Sequence, residues 1–174
     1  MVVTNYYKYS CYDTVSYVKK NFTLILHNIR SVYNVGAIFR TADAVGISKI
    51  YLSGYTPTPV DRFNQPRADF HKCALGAEKT VVWEYKKTVG PIIRLLKREG
   101  FEIVALEQDE RSIDYKKFKP KNKTALFLGT ETTGISKSLL NQCDSIIELP
   151  MKGKKESLNV SVSAGIALYR LFDR

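Results

Sequence analysis

Short apolar segments alternate with helical patterns along most of this chain of 174 residues. The apolar segments are rich in leucine and β-branched side chains, and glycine or polar residues follow them. Predicted strands cover residues 22–27, 49–53, 80–85, 101–106, 124–128 and 145–149, and predicted helices cover residues 35–45, 91–99, 136–142 and 158–171. This alternation predicts an α/β fold with a mostly parallel sheet flanked by helices on both faces.

The length fits one domain, with residues 1–20 as an N-terminal arm and residues 21–174 as its core. Residues 54–70 contain three prolines and have no clear period, which predicts a long loop. Loops of this length are usually functional or mobile in compact domains. Gly46 is expected to end the first helix, and Ser136 to cap the short helix 136–142. No apolar run is long enough to predict a membrane-spanning segment.

The charge balance favours a polyanionic partner. Lysine and arginine number 27 against 17 aspartate and glutamate residues, which gives a net charge of +10. Contacts with phosphates supply most sequence-independent affinity for nucleic acids, so RNA is a plausible partner. A basic protein without such a partner remains an alternative, because charge alone does not exclude it.

The cysteines predict neither disulfides nor a metal site. Cys11, Cys73 and Cys143 are odd in number, far apart and without a paired spacing. The only histidines, His27 and His71, add no spacing suited to a metal ligand set. We therefore expect a reducing, cytoplasmic setting and no bound metal.

Polar residues concentrate where three predicted strands lead into helices, after His27, Leu128 and Leu149. Ligands of parallel α/β sheets bind beyond the carboxyl ends of the strands. The first junction contains Asn28, Arg30, Ser31, Asn34, Gly36 and Arg40. Two arginines beside a helix N-terminus would hold a phosphate well. The alternative is structural, with Asn34 as a helix cap and Arg40 as a solvated side chain.

The second junction places Gly129 and Gly134 on either side of Glu131, directly after an apolar strand. Glycines allow a close backbone approach to a ligand, but the pattern is neither GxGxxG nor a P-loop. In the third junction, Ser157 and Asn159 open an apolar helix after a basic loop. Each of these segments taken alone is also explained by a turn or a helix cap.

Taken together, the three segments resemble the signatures of the SpoU/TrmH methyltransferases of the SPOUT superfamily. The matching residues are Asn28-x-Arg30-Ser31-x-x-Asn34-x-Gly36-x-x-x-Arg40, then Gly129-x-Glu131-x-x-Gly134, then Leu149-Pro150-Met151-x-Gly153-x-x-x-Ser157-Leu158-Asn159. Thr130, Leu149 and Ser163 depart from the residues usual in that family. None of these departures removes a polar group on which the chemistry depends.

This resemblance implies a C-terminal trefoil knot, a homodimer and methyl transfer from S-adenosylmethionine to a ribose 2′-hydroxyl of tRNA or rRNA. Residues 21–174 would then be the catalytic core. The implied cofactor-binding residues are Leu128, Gly129, Gly134, Leu149, Met151 and Leu158. Arg40 would act as a base or as an electrostatic organiser of the 2′-hydroxyl. We prefer the second role, because a guanidinium remains protonated in proteins.

The resemblance also assigns roles to the other polar residues of the signatures. Asn34 would orient Arg40 or the ribose. Glu131 would pair with Arg40 or with Asn34. Ser157 and Asn159 would bridge the cofactor loop and the substrate. Several polar and basic residues lie near the sheet edge where ligands are expected to bind, and we expect them to contact RNA. They are Asn28, Arg30, Ser31, Arg62, Arg67 and Lys72.

Three other classes of protein compete with this interpretation. A non-catalytic RNA-binding module would be basic and compact, but it has no need of Glu131, Ser157 and Asn159 at strand ends. A nucleotide-dependent oxidoreductase suits the α/β pattern but lacks the glycine fingerprint. A SPOUT enzyme that methylates a base is the nearest enzymatic alternative.

Overall fold

The structure is a computed structural model that describes residues 21–130 and 132–172. The predicted arm, residues 1–20, and the predicted catalytic residue Glu131 lie outside the described residues. The described residues form a seven-stranded sheet. Its strands are β1 Asn21–His27, β2 Lys49–Ser53, β3 Trp83–Lys86, β4 Glu102–Leu106, β5 Ile113–Asp114, β6 Lys123–Leu128 and β7 Ser145–Glu148.

Every ladder between these strands is parallel, which confirms the predicted fold class. The strand order is β3-β2-β1-β6-β4-β7-β5. Strand β4 therefore lies between β6 and β7, although it precedes both in the chain. In this order the carboxyl ends of β6, β4 and β7 are neighbours, so the segments that follow them meet at one edge of the sheet.

Helices cover both faces of the sheet and bury its two sets of side chains. They are α1 Val32–Val45, α2 Ala68–Ala74, α3 Ala77–Thr80, α4 Gly90–Arg98, α5 Lys137–Leu140 and α6 Val160–Phe172. Leu24 and Leu26 face the core under α1, α2 and α6, whereas Ile25 and Phe127 face the core under α4 and α5. Because side chains alternate along a strand, one β-strand supplies both cores. None of the helices described here is long and apolar enough to cross a membrane.

Helix α1 begins one turn earlier than its hydrophobic period predicts. Ser31 is its N-cap, and the Ser31 hydroxyl accepts a hydrogen bond from the Asn34 amide at 3.3 Å. Asn34 is therefore not the cap but the third residue of the helix. The helix ends at Gly46, whose φ of 78° is the left-handed conformation expected of a glycine C-cap.

Two short helices, α2 and α3, were not predicted from the sequence, and one predicted strand begins too early. The long loop ends at Arg67 rather than at residue 70, because α2 begins at Ala68 and buries Phe70 against α1. The predicted strand 80–85 is wrong at its start, since Thr80 ends α3 and the strand begins at Trp83. Helices of one or two turns give too few periods to be recognised in a sequence. Strand β5, only two residues long, escaped prediction for the same reason.

One further predicted helix start differs from the structure, and another agrees with it. Helix α6 begins at Val160 rather than at residue 158, because the Asn159 side chain accepts a hydrogen bond from the Ser161 amide at 2.9 Å. Asn159, not Ser157, therefore caps this helix. Ser136 stands at the N-cap of α5 but makes no capping bond, and its hydroxyl lies 3.2 Å from that of Ser138.

Gly36 allows α1 and α2 to pack closely. A Cβ atom at this position would lie 2.7 Å from the Cβ of Cys73 and 3.2 Å from the Ala74 amide nitrogen. Gly165 in α6 is a contrasting case, because a Cβ atom there would meet nothing within 4 Å. The absence of a side chain is therefore required at the first glycine but not at the second.

Replacing Gly36 with alanine is expected to destabilise the protein by about 1–3 kcal/mol, the usual cost of overpacking. The control, Gly165→Ala, is expected to raise stability by about 0.5–1 kcal/mol, because alanine is the better helix former. Urea denaturation of both variants and the wild type measures these differences. A Gly36→Ala protein as stable as the wild type would show that the two helices can separate without cost.

Candidate functional site

A cavity of about 360 Å³ opens at the sheet edge where β4, β6 and β7 end. This volume is within the range of small-molecule sites in proteins. Its described lining residues are Leu106, Glu107, Gln108, Leu128, Gly129, Thr130, Thr132, Thr133, Gly134, Glu148, Leu149, Met151, Glu156, Ser157, Leu158, Val160 and Ser163. The second and third sequence signatures thus converge on one site, together with a segment after β4 that the sequence did not single out.

The electrostatic character of the cavity is opposite to that of the whole chain. The chain carries a net charge of +10, yet the described lining contains three glutamates and neither lysine nor arginine. Leucines and Met151 form apolar walls beside these carboxylates. Such a site suits a ligand that is partly apolar and carries positive charge.

The predicted cofactor-binding residues all lie on this cavity. They are Leu128, Gly129, Gly134, Leu149, Met151 and Leu158. Gly129 must lack a side chain, because a Cβ atom there would come within 2.5 Å of the Ile135 side chain. Gly134 has a φ of 65° and its amide bonds the Thr130 carbonyl at 3.0 Å, which closes a tight turn at the cavity wall.

Glu107 and Gln108, directly after β4, tie the two cavity loops together. The Glu107 carboxylate accepts hydrogen bonds from the Ile135 amide at 2.8 Å and the Gln108 amide at 3.0 Å. The Gln108 side chain donates to the Glu156 carbonyl at 2.8 Å. A side chain at Gly134 would overlap the Glu107 carboxylate, so the turn packs directly on this group. Sequence reasoning overlooked this pair because no glycine or helix start marks the junction.

The first junction reaches the third through one side-chain contact. The Asn159 side-chain amide donates a hydrogen bond to the side-chain carbonyl oxygen of Asn34 at 3.2 Å. This contact exists because α1 and α6 pack side by side, with Ala164 and Leu168 buried in the core they share. The structure thus brings two predicted catalytic residues together, and a third, Ser157, lines the cavity.

Arg40 lies outside the described cavity lining, as Asn34 and Asn159 also do. Its side chain is exposed on α1, six residues after Asn34, and Arg40 is not part of the cavity lining. Six residues of helix correspond to about 9 Å along the axis. Gly36, four residues before Arg40 in the same helix, is buried against α2.

Asn28 connects the end of β1 to the next loop and to the cavity. Its backbone has a φ of 59°, and its side-chain carbonyl accepts from the Tyr55 amide at 3.3 Å. The Tyr55 hydroxyl lies 3.2 Å from the Thr130 hydroxyl on the cavity wall. The Asn28 amide group donates to His27 Nε2 at 3.1 Å, so His27 Nδ1 carries the proton and donates to Ser53 at 2.9 Å.

The other predicted RNA-binding residues lie outside the cavity lining. Ser31 caps α1, and Lys72 is exposed on α2. The Arg67 guanidinium pairs with Asp69 at 2.7 Å and borders a second cavity of about 440 Å³ next to Trp83. Arg30 and Arg62 each lie over an aromatic ring. Their separation from the cavity is compatible with contacts to a large ligand.

No group of three histidine, cysteine, aspartate or glutamate side chains suited to a metal ion occurs in the part of the chain that is described. Cys73 and Cys143 are free thiols. Burial raises the pKa of the Cys143 thiol to about 11, so this thiol stays protonated and unreactive at neutral pH.

The fold and the cavity define an α/β protein with a cavity of ligand size at the carboxyl edge of a parallel sheet. The family model described as "SpoU rRNA Methylase family" matches residues 21–169, so the chain belongs to this family.

Relatives with established names share most of the chain. It is 30% identical over 149 residues to the tRNA (guanosine(18)-2′-O)-methyltransferase of Escherichia coli (strain K12), covering 86% of this chain and 62% of the relative. It is 32% identical over 157 residues to the 23S rRNA (guanosine-2′-O-)-methyltransferase RlmB of the same organism, covering 90% and 62%. The chain thus spans less than two thirds of the length of these relatives.

A solved structure shares the fold. The AdoMet-bound rRNA methyltransferase from Sinorhizobium meliloti superposes with a TM-score of 0.79 at 26% identity, covering 87% of this chain and 56% of that one.

The His27 network predicts how stability changes with pH. Burial lowers the pKa of His27, so the folded protein binds a proton less readily than the unfolded chain. His27 therefore costs no stability above its unfolded pKa of about 6.5, and the protein loses stability as the pH falls below that value. His27→Gln, which does not titrate, is expected to lose less stability than the wild type between about pH 8 and about pH 5.5. Urea denaturation at both pH values measures this difference, and equal losses in the two proteins would contradict it.

Proposed function

We propose that this chain transfers a methyl group from S-adenosylmethionine to a ribose 2′-hydroxyl of tRNA or rRNA. The observation that carries this proposal is the cavity itself. A basic protein surrounds a site whose described charged side chains are all carboxylates, and two signatures of the family line it. A sulfonium cofactor is cationic, whereas the RNA that must approach it is anionic.

The residues of the cavity fit the cofactor. Leu128, Leu149, Met151 and Leu158 offer apolar surface to an adenine ring. The glycines permit a tight turn in the cavity wall, where Gly129 packs directly against Ile135. The relatives support the same cofactor and reaction, because they are named 2′-O-methyltransferases and a similar structure is AdoMet-bound.

The bound cofactor would supply a methyl group that its sulfonium already activates. The chain must then hold the ribose oxygen in line with this methyl and accept or disperse its proton. Alignment of this kind contributes about 7–11 kcal/mol in well-oriented systems. The rigid loops held by Glu107 and Gln108 serve this alignment.

Arg40 would organise the substrate through its charge. A guanidinium is permanently protonated, and its planar fork can hold a phosphate or a ribose oxygen with two hydrogen bonds. Asn34 accepts a hydrogen bond from Asn159 and so connects α1 to the loop of residues 149–159. Arg40 lies further along the same helix and is exposed, so it would reach an RNA bound across the cavity or the site of a partner subunit.

A homodimer is the assembly that we propose, and α6 supports it. Ala164 and Leu168 bury one side of this helix in the core. Val162, Ile166 and Tyr169 form an exposed apolar stripe on another side, at spacings of four and three residues. A helix that is apolar on most of its circumference is usually buried, and a second copy of the chain would cover the stripe. Sedimentation velocity measures this assembly directly.

The C-terminal trefoil knot belongs to the same proposal. After β6 the chain passes β4 to form β7, and the loop of residues 149–159 returns to α6, which packs on α1. This path around β4 supports a threaded C-terminus. Tracing the chain in crystallographic electron density tests the threading. We also propose a cytoplasmic setting, which the free thiols Cys73 and Cys143 support.

Glu107→Ala is expected to weaken binding of S-adenosylmethionine, because the Ile135 amide in the cavity wall loses its acceptor. The loosened turn must be ordered again when the cofactor binds, and a cost of about 1–3 kcal/mol for this step corresponds to about a 5- to 150-fold rise in Kd. Titration calorimetry measures this value. Glu110→Ala, the same charge change at an exposed residue outside the cavity, is the control. Equal affinities of the two variants would show that the carboxylate does not support the site.

Methyl transfer itself is tested with Arg40→Lys, which keeps the charge but loses the planar fork. We expect wild-type protein to form 2′-O-methylated nucleosides in tRNA or rRNA, identified by nuclease digestion and mass. The variant should lose about 100-fold in rate with unchanged cofactor affinity. Arg98→Lys, at the end of α4, is the matched control. Full activity of Arg40→Lys contradicts our role for Arg40, and a product methylated on a base contradicts the ribose as acceptor.

A further inference from the structure

Two arginine–aromatic pairs lie along the loop that joins β2 to α2, residues 54–67. The Arg30 guanidinium is 5.8 Å from the centre of the Tyr55 ring, and the Arg62 guanidinium is 4.8 Å from the centre of the Phe63 ring. Tyr55 is 51% exposed and Phe63 is 67% exposed. Both pairs therefore present an aromatic ring and a positive charge together to the solvent.

The tip of the loop holds the outer pair in a fixed turn. The Asp61 carboxylate accepts hydrogen bonds from the Phe63 amide at 2.8 Å and the Gln65 amide at 2.9 Å. The Asp61 amide in turn donates to the Gln65 carbonyl at 2.9 Å, and Val60 pairs with Pro66 in an antiparallel bridge. An exposed phenylalanine on an ordered turn needs little further ordering to bind a ligand.

The inner pair adjoins the cavity. The Tyr55 hydroxyl lies 3.2 Å from that of Thr130, which lines the cavity, and the Tyr55 amide is bonded to Asn28. The loop thus begins at the cavity mouth with Tyr55 and carries Phe63 outward at its tip. A ligand that extends from the cavity along this loop would meet one arginine–aromatic pair after the other.

We propose that this loop is a stacking platform for an unpaired segment of the substrate RNA that flanks the methylated nucleotide. The inference rests on the function proposed above and adds the class of RNA structure that the site accepts. Proteins that bind single strands combine aromatic rings, on which bases stack, with cations that contact the backbone. Bases within a duplex are stacked on each other and do not offer their faces. Phe63 provides the ring and Arg62 the cation, in a chain with a net charge of +10.

The test uses the whole protein and a short oligoribonucleotide without self-complementarity, compared with its duplex. Phe63→Ala is expected to weaken binding of the single strand by about 5- to 150-fold, the usual loss for one stacked base. Phe63→Trp is expected to retain affinity, because the indole also stacks. Arg62→Ala should weaken binding and reduce its salt dependence by about 0.7 in the logarithmic slope. Leu75→Ala, which removes another exposed apolar side chain, is the control.

Three results would overturn the platform. The first is binding of the single strand by Phe63→Ala that is as tight as binding by Leu75→Ala, and the second is a loss of affinity in Phe63→Trp as large as in Phe63→Ala. Sedimentation velocity could instead show that Phe63→Ala dissociates an assembly of the chain, which would assign this surface to a second copy. A failure of the proposed function looks different. In that case the wild type transfers no methyl group, whatever the Phe63 variants do to RNA binding.

Discussion

The pairing of β4 with both β6 and β7 is the constraint on which the site depends. It places Glu107 and Gln108 between the two loops that form the cavity walls. One carboxylate then accepts the Ile135 amide, and one side-chain amide donates to the Glu156 carbonyl. The segment directly after β4 therefore holds the two loops together through side-chain hydrogen bonds.

Charge is divided between the interior of the site and the rest of the molecule. The chain is strongly basic, but the described charged residues of the cavity are Glu107, Glu148 and Glu156. This division suits two partners of opposite charge that must meet, a small cation held in the cavity and a polyanion outside it. Under our proposal these partners are the sulfonium cofactor and the RNA.

Some features were predictable because their physical cause is local. Apolar runs in the sequence predict strands β1, β2, β4, β6 and β7. The C-cap at Gly46 follows from glycine's tolerance of positive φ. Helices α2 and α3 were not predictable, since they are only a few residues long, and α2 is held by packing of Phe70 on Phe39. Glu107 was overlooked because a single carboxylate after a strand has no periodic or motif signal.

The sequence alone determined the fold class, the family and the residues of the two cavity signatures, because apolar periodicity and motif spacing are written in consecutive residues. Only the tertiary structure decided which of these residues meet. The Asn34–Asn159 contact joins residues 125 positions apart, and it depends on how α1 packs against α6. The same packing leaves Arg40 on an exposed face of α1, apart from the cavity. Contacts of this kind depend on strand order and helix packing, which no short stretch of sequence encodes.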